Sequence, residues 1–162
     1  MYHCHLKFYF VGKESELSAP LKEMSPLEAF THEFGESETP ERDLAAKADV
    51  IFADLRGMDA LETVRTLCMW KKAEAELIAL AGKEEVEALA DILSELSDIW
   101  TMPMCEAELC FRFLHFQQDC KLRRDYWQAE HYLDAVIDNS PNLIWYKDKN
   151  GIHEKVNDSF CA

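Results

Sequence analysis

ADVIFADLRGMDALETVRTLCMWKK, residues 48–72, decides how the rest of the chain is read. It opens on an apolar run, 48–55, that includes Asp54, and short runs of this kind bounded by turn residues read as strands. From Asp59 onward the apolar residues recur at three- and four-residue intervals, which gives a helix one face to lay on a sheet. The same alternation extends outward on both sides. Strands are predicted at 5–12, 28–34, 76–82 and 98–103, and helical patterns at 41–47, 59–72 and 84–96. The first connection, 13–24, contains Pro20, which must start or kink any helix there. GESETPER, 35–42, reads as the loop into the second helix. Strands alternating with amphipathic helices predict an α/β protein, a doubly wound five-stranded parallel sheet covered on both faces.

Composition narrows the function classes. In 162 residues, 48% apolar content is enough for one real core. Seventeen basic against 31 acidic residues give a net charge of −14, which repels nucleic-acid phosphates and anionic headgroups, so neither nucleic acid nor membrane is expected as a partner. No apolar run reaches the roughly 20 residues a bilayer span needs, and the start MYHCHLKFYFVGKE lacks a signal peptide's apolar stretch and cleavage site. The expected location is cytoplasmic. Six cysteines without a CxxC pair point to thiols rather than disulfides. His3, Cys4 and His5 alternate faces if they lie in a strand, so they form no metal site. With only five glycines, no phosphate-cradling loop, and no Ser-His-Asp or metal constellation, no catalytic residue, metal or cofactor is assigned.

Residues 105–139 contain neither Gly nor Pro and predict one long C-terminal helix of about 35 residues, roughly 50 Å at 1.5 Å per residue. Its apolar pattern changes midway. Leu109, Phe113, Phe116 and Cys120 form a stripe suited to the sheet. Leu122, Tyr126, Ala129, Leu133 and Val136 form a second, at steps of four, three, four and three, flanked by Arg123, Arg124, Glu130 and Asp134. The second stripe either folds back on its own domain or meets a partner helix; the flanking charges favour a two-helix seam and hence a parallel homodimer.

The 50–62 segment, VIFADLRGMDALE, resembles the receiver domain of two-component response regulators, with Asp54 at the position of the phosphoacceptor aspartate. The resemblance covers about residues 4–120. It implies the flavodoxin-like fold, strand order 2-1-3-4-5, with a site beyond the carboxyl ends of the strands. Around Asp54 the family pattern has degenerated. Where the family places an acidic pair to hold Mg²⁺, the first strand ends Phe10-Val11-Gly12-Lys13; Glu14 is a displaced substitute. Ala81 stands in the region where the family closes the fourth strand with a hydroxyl, and Met102-Pro103 replaces its Lys-Pro pair. The loop after Asp54 is about two residues shorter than usual. Asp54 is therefore expected to be inactive as a phosphoacceptor.

Residues 130–162 are similar to the opening of a PAS domain, with NSPNLIWYKDKNG as first strand and turn and HEKVNDSF as second strand; Asn150-Gly151 is a hairpin signal in its own right. The implied organisation is a receiver-like domain at 1–120, a helix at 105–139 shared with it and acting as coiled-coil linker, and a truncated PAS start at 140–162. This resembles the upstream part of a bacterial signal-transduction protein, relaying through a dimeric helix to a PAS domain and a GGDEF diguanylate cyclase. A sensor histidine kinase output and a pure protein-docking pseudo-receiver are the alternatives.

Overall fold

The computed structural model describes residues 3–13, 18–24, 26–28, 30–157 and 159, so Glu14 and Cys161 lie outside the described residues. The chain divides into two compact units, Met1–Gln117 and Gln118–Ala162.

The first unit is built on β3 (Val50–Asp54), between β1 (Cys4–Val11) and β4 (Glu76–Ala81); β2 (Phe30–Ser37) and β5 (Asp98–Thr101) form the edges, giving the all-parallel order β2-β1-β3-β4-β5. This is the flavodoxin-like doubly wound sheet that the alternation and the receiver resemblance imply. Every residue of β3 is buried, as expected of a central strand covered on both faces. One face packs Tyr9, Val11, Ile51, Ala53, Leu77 and Ala79 against Val64 and Leu67 of α3 (Ala60–Trp70). The other is an aromatic layer. Phe8, Phe52 and Phe113 meet there at centroid distances of 5.2 to 6.1 Å, and Trp100 lies 5.2 Å from Phe52.

Three local expectations are corrected. The second strand runs over Phe30–Ser37 rather than 28–34, because β1 offers eight consecutive parallel partners, from Cys4↔Phe30 to Val11↔Ser37. That ladder draws Gly35, Glu36 and Ser37 out of the expected loop, since tertiary pairing outweighs weak strand propensity. The single helix expected at 84–96 is α4 (Lys83–Ala88) followed by a 3₁₀ segment, Ala90–Glu95. Leu89 is fully buried between them, and the segment kinks at Ile92 (φ −125°), which packs against the same core while Leu93 is exposed. In the first connection α1 (Ser18–Glu23) holds Pro20 within its first turn, where a missing N–H costs nothing; α2 (Arg42–Lys47) follows β2.

Helix α5 (Glu106–Asp138) is continuous over 33 residues, close to the expected 105–139. In the second unit β6 (Trp145–Lys147) and β7 (His153–Val156) pair antiparallel. The connection is longer than a two-residue Asn-Gly turn. The Asp148 carboxylate accepts from the backbone N–H of Asn150 (2.9 Å) and of Ile152 (2.7 Å), and these bonds, the Ile152 one foremost, hold it below the ordinary carboxylate range. Asn157 closes the unit. It is wholly buried, its amide donating to the carbonyls of Ile137 (3.1 Å) and Asn142 (2.8 Å) and accepting from the Ile144 N–H (3.0 Å).

Candidate functional site

Asp54 ends β3, beside Leu80 of β4, at 5% exposure. The chain then turns sharply: the Met58 N–H donates to the Leu55 carbonyl (3.1 Å), with Gly57 at φ 71°, and Asp59 at once caps α3 by accepting from the Glu62 N–H (2.9 Å). This compact turn aims Arg56 back at the strand. Its guanidinium donates from Nε to Asp54 Oδ1 (2.9 Å) and from Nη2 to Oδ2 (2.7 Å), while its backbone N–H reaches Oδ1 (3.2 Å). Both carboxylate oxygens are thus engaged by a planar, permanently charged fork, the geometry that makes Arg–carboxylate pairs strong. Asp59 spends one carboxylate oxygen on capping its helix. Among the described residues no group of three His, Cys, Asp or Glu side chains is placed to hold a metal ion.

A recess of about 260 Å³ opens beside Asp54 at the carboxyl ends of the strands. Phe10, Phe52 and Leu80, all buried, line it together with Gly12, Lys13, Ser18, Glu36, Ser37 and Glu38. Gly12 stands at φ 148°, and a Cβ there would come within 2.7 Å of the Asp54 Cβ, so the close passage of β1 over Asp54 requires glycine. Glu36 is held by Lys22 (2.5 Å) and by the Ser18 hydroxyl, which together, Lys22 foremost, pull its carboxyl below the ordinary range.

Of the residues singled out from sequence, the structure brings Gly12, Lys13 and Asp54 together in this recess. Ala81 is buried at the end of β4, its carbonyl accepting from the Met102 N–H (2.9 Å), and the Met102–Pro103 peptide is cis; neither they nor Pro103 wall the recess. Arg56, Ser18 and Glu36 were not foreseen. The Asp-x-Arg spacing was a signal for the first; nothing local connects the other two to Asp54.

In the second unit Leu122, Tyr126, Leu133 and Val136 are 58–71% exposed and Ala129 is exposed with them, so the stripe is not buried by folding back within its own unit. Trp127 and Tyr132 widen it, Trp127 stacking on His131 at 3.7 Å. Cys4 is buried while His5 is exposed, its ring bonded to Thr31 (2.8 Å), so the two alternate faces as expected. Among the described residues no disulfide joins Cys4, Cys68, Cys105, Cys110 or Cys120. No described helix is long and apolar enough to cross a membrane.

No family profile and no curated protein matches the chain. Solved structures do. The REC domain of AraT, a response regulator from Geobacillus stearothermophilus, aligns at 17% identity and TM-score 0.55 over 74% of this chain and 98% of its own. An adenylate cyclase structure from Rhodopirellula baltica aligns at 14% and 0.51, covering 78% of this chain and 98% of that one. NtrX from Brucella abortus aligns at 15% and 0.57 over 78% of this chain, which spans only 30% of NtrX. At such identities the likeness shows the receiver fold.

Proposed function

We propose that residues 1–162 are a regulatory input module of a bacterial signal-transduction protein that works without phosphoryl transfer at Asp54. The observation that carries the reading is the bidentate Asp54–Arg56 pair. Phosphoryl transfer to a carboxylate needs a free oxygen in line with the donor and a metal to screen charge. Here the oxygens face a guanidinium from the next turn, Gly12 and Lys13 replace the acidic metal ligands, and Ala81 and Met102 replace the hydroxyl and the lysine. The fold of the receiver persists while its chemistry is absent.

The exposed stripe on α5 supports a parallel homodimer through Leu122, Tyr126, Ala129, Leu133 and Val136, which conveys a change in the receiver-like unit to the PAS-like hairpin. Similarity of residues 130–162 to a PAS opening supports a GGDEF diguanylate cyclase as the output so governed, because two such active sites must meet face to face and a shared coil can set their register.

Incubation with Mg²⁺ and a small phosphodonor, followed by intact mass, tests the reading. Unchanged mass is expected. Stoichiometric gain of one phosphoryl group, abolished by Asp54→Asn, would overturn it.

A further inference from the structure

The outward face of α5 is longer than the 122–136 stripe. Phe111, His115 and Gln118 precede Leu122 by eleven, seven and four residues, and Tyr126, Ala129 and Leu133 follow it by four, seven and eleven. The spacing is symmetric about Leu122. Eleven residues turn a helix only about 20° past three full turns, so these positions stay on one side of α5. All of them are exposed, Phe111 at 61% and Leu122 at 70%, and the His115 ring stands edge-on to that of Phe111 at 4.4 Å.

A symmetric face fits a copy of itself running the other way. With Leu122 against Leu122 of a second copy, Phe111 meets Leu133 and His115 meets Ala129, a larger side chain opposite a smaller one each time. Gln118 meets Tyr126, whose hydroxyl suits its amide. The rims match as well. Arg112, Asp119, Arg123 and Glu130 border one side of the face, and reversal sets Arg112 beside Glu130 and Asp119 beside Arg123 of the second copy. Arg112 bonds Glu108 of its own helix (3.3 Å), an exposed pair that leaves guanidinium donors for Glu130. Lys121 and Asp125, themselves paired at 2.5 Å, border the other side, where reversal joins this pair to its duplicate. A parallel register has no such match. With Leu122 and Ala129 at d and Tyr126 and Leu133 at a, Asp125 at g faces Glu130 at e of the second copy, two like charges.

We propose that in the resting chain two copies pair antiparallel through this face, centred on Leu122, and that the parallel seam forms only when this pairing opens. The inference rests on the reading of α5 as a dimer seam and names the state that holds that seam off. Antiparallel pairing points the carboxyl ends of the two helices apart, whereas a face-to-face output needs them together. The overlap from Phe111 to Leu133 spans about 33 Å at 1.5 Å per residue.

Sedimentation equilibrium on the 162-residue chain tests the pairing, with Arg112→Glu, Glu130→Arg and the two combined. Each single change puts like charges together at both ends of the antiparallel dimer and is expected to weaken association about fivefold or more. The combined variant restores opposite charges and is expected to return to within about twofold of the wild type. In a parallel dimer the two positions lie roughly 27 Å apart, beyond the Debye length of about 8 Å, so their effects would add without rescue. Neither side chain is buried, so circular dichroism should show every variant as helical as the wild type. Absence of rescue, or single changes without effect, would overturn the proposal. A wild type monomeric at tens of micromolar fails the seam reading along with it, whereas a dimer that Leu133→Asp breaks but that shows no rescue fails this inference alone.

Discussion

The two halves of α5 carry apolar stripes of similar spacing and opposite burial. Leu109, Phe113 and Cys120 in the first are at most 6% exposed, whereas Leu122 and Tyr126 in the second exceed 69%. Periodicity makes a face; whether the face is covered depends on what else folds against it. In the first stripe Phe113 meets the aromatic layer of the sheet, which was assembled by strands distant in sequence. Within its own unit the second is left exposed, the face that the proposed second copy with the same stripe would cover.

Phe113→Ala probes the buried half and should have the largest effect. It removes a ring 5.2 Å from Phe8 and 5.9 Å from Phe52, and denaturant unfolding should show a loss of about 3–5 kcal/mol. A loss under about 1 kcal/mol would erase the contrast between the halves. Leu133→Asp probes the exposed half. A desolvated charge in the seam should cost several kcal/mol in each chain, so sedimentation should find a dimer turned monomer while the receiver-like unit stays folded. A wild type already monomeric at tens of micromolar, or a mutant still dimeric, breaks the relay.

Asn157→Ala sharpens the comparison at the far end of the helix. It orphans the Ile144 N–H and takes one of two donors from the Ile137 carbonyl, which keeps the Ser140 N–H, and should destabilise the hairpin by about 1–3 kcal/mol, read as faster hydrogen exchange at Ile144 with the first unit unaffected. The smallest effect is expected from pH. His32 packs edge-on against Phe8 and beside Phe113, and burial first, then His5, holds its imidazole below the ordinary 6.5. As pH falls below about 6.5 the unfolded chain takes up a proton that the folded chain resists, so stability declines toward acid. His32→Phe should flatten that slope in thermal melts at successive pH values; an unchanged slope would show that His32 is not its source.

The Asp54 site was partly legible. Gly12, Lys13 and Asp54, singled out from the sequence, do meet in one recess, whereas Ala81 and Met102 lie outside it. The Arg56 clasp was missed although only two residues separate it from Asp54. A guanidinium can point anywhere its turn allows, and only the Leu55–Met58 bond and Gly57 decide that it folds back.

Sequence alone determined the alternation of strands and helices, the continuity of α5 and the presence of a turn at Asn150-Gly151, though not its length. These follow from propensity, period and local hydrogen bonding, which act over a few residues. Tertiary structure decided the rest. It extended β2 to Ser37 through pairing with β1, and broke the helix at Leu89 so that Ile92 could reach the core. It also brought Ser18, Glu36, Lys13 and Asp54 to one recess from a helix, two strands and the turn after β1. Such outcomes depend on contacts between residues far apart in the chain, whose geometry no local pattern encodes.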